Sequence, residues 1–118
     1  MKTILAYITD LFFESKMTQT AQEVGAKLKV VTSIYKFLPE IAEGPTLVVI
    51  DLNAEGISPS SLIAQVKQRN PNLPLLVYGD DDQEEMIERA KRAGADWVLP
   101  RSKYAEHLAE VLAELETE

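Results

Sequence analysis

The chain has 118 residues, 46% hydrophobic and 26% charged, which suits one globular domain with its own hydrophobic core. It has no cysteine, which excludes disulfides, thiolate metal sites and cysteine nucleophiles. Lys and Arg number 12 against 19 Asp and Glu, and the net charge of −7 repels phosphate backbones, so no direct nucleic-acid binding is expected.

The N-terminal stretch MKTILAYITDLFFESK begins like a signal peptide, but Asp10 and Glu14 interrupt it early. It reads instead as a strand and a helix. No apolar run is long enough to cross a bilayer, so the expectation is a cytoplasmic protein with no membrane partner. Residues 3–9, TILAYIT, predict the first strand. Phe13, Met17, Ala21 and Val24 recur at helical spacing, and Gly25 closes that helix. LKVVT at 28–32 predicts the second strand. Ile34, Phe37, Leu38 and Ile41 predict a short helix in which Pro39 is expected close to the start, where a missing N–H costs little. Gly44-Pro45 marks a turn, and TLVVI at 46–50 the third strand.

Ser58-Pro59 predicts the next helix start, with serine as the cap and proline at the first position. Leu62, Ile63 and Val66 form its apolar face, and Asn70-Pro71 ends it. LPLLVY at 73–78 predicts the fourth strand. Asp80, Asp81 and Asp82 then suit the positive end of a helix carrying Met86, Ile87, Ala90 and Ala93, which Gly94 ends. DWVLP at 96–100 predicts the fifth strand, and Ser102 is expected to cap a last helix with Leu108, Val111, Leu112 and Leu115. The ETE tail is expected to fray.

Five strands thus alternate with five helices over residues 1–118, read as a single domain. The first, third and fourth strands are apolar almost throughout, as strands buried on both faces of a parallel sheet must be. Right-handed crossovers then give a doubly wound α/β fold. Ligands of such folds bind beyond the C-terminal ends of the central strands, and Asp51 ends one of them.

Three segments in this order, TLVVIDLN at 46–53, LPLLVYG at 73–79 and AGADWVLPRS at 93–102, make the whole chain resemble a response-regulator receiver domain of two-component signalling. The resemblance implies a flavodoxin-like (βα)5 three-layer sandwich with a parallel five-stranded sheet in the order 2-1-3-4-5. It also implies that Asp51 stands where the family accepts phosphate from a histidine kinase. The family's two Mg²⁺-holding acids fall on Ile8 and Thr9, with Asp10 one residue late. The hydroxyl residue ending the fourth strand falls on Gly79, the phosphate-pairing lysine on Arg101, and the aromatic switch residue on Val98. Asn53 matches the position whose backbone carbonyl reaches the metal.

Transfer of phosphate to a carboxylate brings anions together, and metal and cationic groups must neutralise them. Two unit charges about 4 Å apart interact by roughly 4 kcal/mol at an effective dielectric of 20, so losing two carboxylate contacts is a large deficit for Mg²⁺. The sequence therefore reads as a degenerate receiver, or pseudo-receiver, that is not an enzyme, has no cofactor beyond weak Mg²⁺, and works through a protein partner or a second copy of itself. The alternatives are a phosphorylatable regulator using Asp51 with an atypical metal site, and a small-ligand domain on the same fold.

Asp10, Asp51 and Asp80 would share one rim and could hold a relocated cation, but Asp80 to Asp82 and Asp10 are more simply helix-start acids. Arg101 could hold an anionic ligand, yet no G-x-G-x-x-G or Walker A loop accompanies it, so an Arg101–Asp51 pair is expected. TDLFFESK lacks the small, hydroxyl-rich character of a flavin-phosphate loop, and no histidine sits in a loop to bind cobalamin. His107, the only histidine, reads as a surface residue. Tyr78, Trp97 and Tyr104 suit a contact surface, with core packing the equal alternative for Trp97. Glu84, Glu85, Glu88, Lys91 and Arg92 lie on the polar side of the fourth helix. In receivers the face of the fourth helix, fifth strand and fifth helix mediates dimer or output contacts, and the resemblance implies the same surface here.

Overall fold

A computed structural model of the chain describes residues 2–80 and 82–116. Its elements are β1 (Lys2–Tyr7), α1 (Leu11–Glu23), β2 (Ala26–Val30), α2 (Ile34–Glu40) with a 3-10 turn (Ile41–Glu43), and β3 (Leu47–Asp51). They continue with α3 (Pro59–Arg69), β4 (Leu75–Gly79), α4 (Glu84–Ala93), β5 (Trp97–Pro100), a 3-10 turn (Arg101–Lys103) and α5 (Tyr104–Glu116). All strands pair in parallel, in the order 2-1-3-4-5. This is the doubly wound sheet that the apolar strands predict, in the flavodoxin-like order that the resemblance implies.

Every residue of β3 and β4 is buried, because helices cover both faces of the sheet. On one face Phe13, Met17 and Ala21 of α1 and Leu108, Val111 and Leu112 of α5 pack against Ile4, Ala6, Leu47, Val49 and Leu76. On the other, α2, α3 and α4 bring Phe37, Leu62, Ile63, Val66 and Ala90 against Leu5, Val48, Ile50, Leu75 and Val77. Alternate residues of each strand go to opposite faces, so a register slip of one would exchange the two cores. β2 is an edge strand, and its outward Lys27 and Lys29 blunt pairing with another edge.

Several boundaries differ from those predicted, for local reasons. β1 stops at Tyr7 because its pairing with β3 ends at Tyr7–Ile50, and Thr9 leads into the cap at Asp10. β2 runs 26–30, not 28–32, and the Thr32 carbonyl instead accepts the Tyr7 hydroxyl at 3.0 Å. β4 begins at Leu75 and takes in Gly79, which pairs with Pro100. β5 begins at Trp97, because the Asp96 carboxylate accepts from Leu75 N–H and Lys67 instead of extending the strand.

Pro39 lies near the end of α2, not near its start. Its missing N–H forfeits one bond, to the carbonyl of Tyr35, a residue on the solvent side. The chain then tightens into the 3-10 turn and leaves through Gly44 at φ 73°. Ser58 does precede α3 with Pro59 at its first position, but its side chain makes no capping bond.

The residue before α4 is Gln83, so Asp80 and Asp82 do not cap that helix. Asp81 and the end of the ETE tail lie outside the described residues. Ser102 is not a helix cap either: it lies within the 3-10 turn opened by Arg101, whose side chain reaches Asp51 and Asp10, and α5 starts at Tyr104.

Candidate functional site

The C-terminal ends of β1, β3, β4 and β5 converge on Asp51. Parallel pairing places Asp51 beside Tyr78, and Tyr78 beside Leu99, so the residue two after Leu99 can reach across β4. That residue is Arg101. Its terminal nitrogen donates to Asp51 Oδ2 at 2.6 Å and lies 3.2 Å from Asp10 Oδ2. Its guanidinium carbon is 4.4 Å from the centre of the Phe13 ring, a cation–π contact. The Asp51 side chain is 1% exposed and that of Arg101 23%. One cation therefore bridges two carboxylates, from β3 and from the cap of α1.

Asp10 also caps α1, accepting from Phe12 N–H at 2.9 Å and Phe13 N–H at 3.2 Å. These bonds, the Phe13 one first, and the nearby Arg101 hold its carboxyl below the ordinary value. Burial pushes the Asp51 carboxyl above it. The Asn53 N–H, at 3.0 Å from Oδ1, and Arg101 oppose that rise, and the charge of Asp10 adds to it.

The other positions singled out by the sequence have structural duties. Ile8 is buried in the α1–α5 core. The Thr9 hydroxyl accepts the Glu55 N–H at 2.9 Å, tying the segment after β3 to the end of β1. Gly79 faces Leu52: a Cβ added there would lie 2.5 Å from Leu52 Cδ1. Leu52 thus fills the space a hydroxyl-bearing side chain would need. Asp80 is exposed on the rim and accepts from Asn53 Nδ2 at 3.3 Å. Asp10 and Asp51 meet at Arg101, while the Asp80 carboxylate stands apart from Arg101 and accepts from Asn53. Among the described residues no group of three or more His, Asp or Glu could hold a metal ion. With two carboxylates on Arg101 and Ile8 in the core, the residues present do not fit a Mg²⁺ cradle.

Two surface expectations are corrected. Tyr78 is fully buried, its ring edge-on to Phe13 at 5.7 Å, so it is no contact residue. His107 is half-buried and its Nδ1 is buried, with no hydrogen-bond partner among the described residues. It lies next to Leu108 and four residues before Val111, on the flank of the α5 stripe, which carries it partly under cover. Trp97 is half-buried and packs on the α1–α5 core, as does Leu99. Val98 packs on the opposite core. Lys91 and Arg92 are exposed on α4, Lys91 lying 3.7 Å from Glu88. The side chain of Tyr104 lies outside the described residues.

Sequence reading overlooked Leu52, Phe13 as the platform under Arg101, and Gln83. The only sequence signal for Gln83 was its place immediately before the helical pattern.

No family model matches the chain, and no curated relative does. Solved structures do. The signal receiver domain of a DNA-binding response regulator from Colwellia psychrerythraea 34H superposes with a TM-score of 0.86 at 18% identity, covering 100% of both chains. A two-component response regulator from Clostridium difficile gives 0.86 at 14%, covering 100% of this chain and 98% of its own. A pilus assembly protein from Burkholderia thailandensis E264 gives 0.77 at 17% over 100% of both. At such identities the likeness establishes the fold: it is the fold of receiver domains. Among the described residues no helix is long and apolar enough to cross a membrane.

Proposed function

We propose that this chain is a receiver-like signalling module of the pseudo-receiver type, acting by protein–protein association and without Mg²⁺-dependent phosphorylation of Asp51. The observation that carries the reading is Arg101 on both Asp51 and Asp10. A phosphoacceptor carboxylate needs an approaching anion on one side and a divalent cation on the other. Here a fixed monovalent cation occupies both carboxylates. Ile8, Thr9 and Gly79 stand where further help would come from, and Leu52 fills the space beside Gly79.

The reading also takes the face of α4, β5 and α5, with Lys91, Arg92 and Trp97, as the docking surface for a signalling partner or a second copy. A cytoplasmic setting goes with it. The test is an amide NMR titration of the chain with Mg²⁺ and then beryllofluoride, which mimics an aspartyl phosphoryl group. No response at millimolar Mg²⁺ is expected. Shifts around Asp10, Asp51, Gly79 and Arg101 that spread into α4 would overturn the reading and make Asp51 a working phosphoacceptor with an atypical metal site.

A further inference from the structure

We propose that Asn53 and Gln83 form an amide clasp joining the end of β3 to the start of α4, so that a change at Asp51 reaches α4 through Asn53 instead of through residue 79. The clasp has a fixed polarity. The Asp80 N–H donates to Gln83 Oε1 at 2.8 Å, so the other end of that amide must donate. Gln83 Nε2 does so, to Asn53 Oδ1 at 2.7 Å, and it also lies 3.4 Å from the Met86 sulfur. Asn53 is then left with Nδ2 facing Asp80 Oδ2, a carboxylate that can only accept. The Asp80 carbonyl accepts the Gln83 N–H at 3.0 Å, and the Gln83 carbonyl accepts the Ile87 N–H at 2.9 Å, the first bond of the helix. Each amide orientation dictates the next, with no conflict among them.

The link back to the site is short. Asp51 Oδ1 accepts the Asn53 N–H and so sets the turn that aims the Asn53 side chain at Gln83. Residue 79 cannot serve as the messenger, because glycine has no side chain and Leu52 closes the space beside it. Gln83 Oε1 lies 3.5 Å from where a Cβ of residue 79 would be, so the clasp occupies the neighbouring ground. The inference holds whatever engages Asp51, and its test uses neither Mg²⁺ nor a phosphate mimic. Its failure is therefore distinct from failure of the functional reading above.

The experiment compares amide spectra of the full chain with and without Asp51→Asn, in the native background and in Asn53→Ala. In the native background the substitution is expected to move the amides of Glu84 to Ile87. In Asn53→Ala those shifts are expected to fall by more than half, while shifts in β5 persist. Equal α4 shifts in both backgrounds, or none in the native one, would overturn the clasp. Arg101→Gln serves as the perturbation if Asp51→Asn does not fold. A second readout is hydrogen exchange at Ile87 N–H. A net hydrogen bond of about 1 kcal/mol corresponds to exchange about fivefold faster in Asn53→Ala and Gln83→Ala alike. Unchanged exchange in both would also overturn it.

Discussion

Arg101 and Asp51 are separated by 50 residues of chain and 2.6 Å of space. The carboxylate is buried and its partner is mostly so, which makes the pair unequal. Losing one member of a fully buried pair costs about 3–5 kcal/mol, because the other is left charged without compensation. Some solvent reaches Arg101, which lowers that figure. Arg101→Ala is expected to destabilise the fold by about 2–3 kcal/mol. Asp51→Asn should cost less, since Arg101 keeps Asp10. The double variant should be less destabilised than the sum of the two, as residues in contact are not additive. Urea unfolding of all four proteins checks this, and an additive cycle would deny the pair any coupling.

The same carboxylate sets a pH dependence. Burial raises Asp51 above the ordinary aspartate value of 3.8. Between that value and the raised one, the folded chain holds a proton that the unfolded chain has released. The contribution of Asp51 to stability therefore falls as pH rises through this window, and grows on acidification into it. Asp10 has the opposite sign: its pKa is lowered, and its contribution is lost as pH falls below 3.8 through the lowered value. Stability of the native chain relative to Asp51→Asn is expected to increase from neutral pH down to about pH 4. Urea midpoints across that range measure it, and a decrease would mean that Arg101 outweighs burial.

Gly79 offers a steric prediction. Placing serine there drives Cβ against Leu52, which is itself 3% exposed and has little room to yield. Gly79→Ser should cost about 1–3 kcal/mol, the usual range for overpacking. Adding Leu52→Ala should remove the clash while opening a void, so the pair should cost less than the separate losses combined. Thermal or urea unfolding decides, and a neutral Gly79→Ser would show that Leu52 has a second place to go.

Ile8→Asp would place a carboxylate where the resemblance to receiver domains implies one, but into a core that includes Phe13, Met17 and Leu108. Destabilisation of more than about 3 kcal/mol is expected, from the lost packing and the buried polar group. The loss should shrink in acid, where the new carboxyl is neutral. A stable variant that binds Mg²⁺ would show that the top of β1 can rearrange.

The frame was legible because it rests on local signals. Apolar runs such as TLVVI mark buried strands, Gly25 and Gly94 take the positive φ that ends α1 and α4, and Pro59 opens α3. The site was only partly legible. Asp51 and Arg101 stand at strand ends, where the order of strands brings them together. The duties of Leu52, Thr9 and Gln83 depend on neighbours 27, 46 and 30 residues away, at Gly79, Glu55 and Asn53. Nothing in a local pattern records such contacts. Pro39 misled for a related reason: the cost of its missing N–H depends on which side of the helix meets water.

A guanidinium differs from a metal ion in one practical respect. An ion exchanges with its surroundings, and its occupancy follows its concentration. Arg101 is part of the chain and cannot diffuse away from Asp51. The cation facing Asp51 is thus written into the polypeptide when it is made. Chelators and dilution cannot withdraw it.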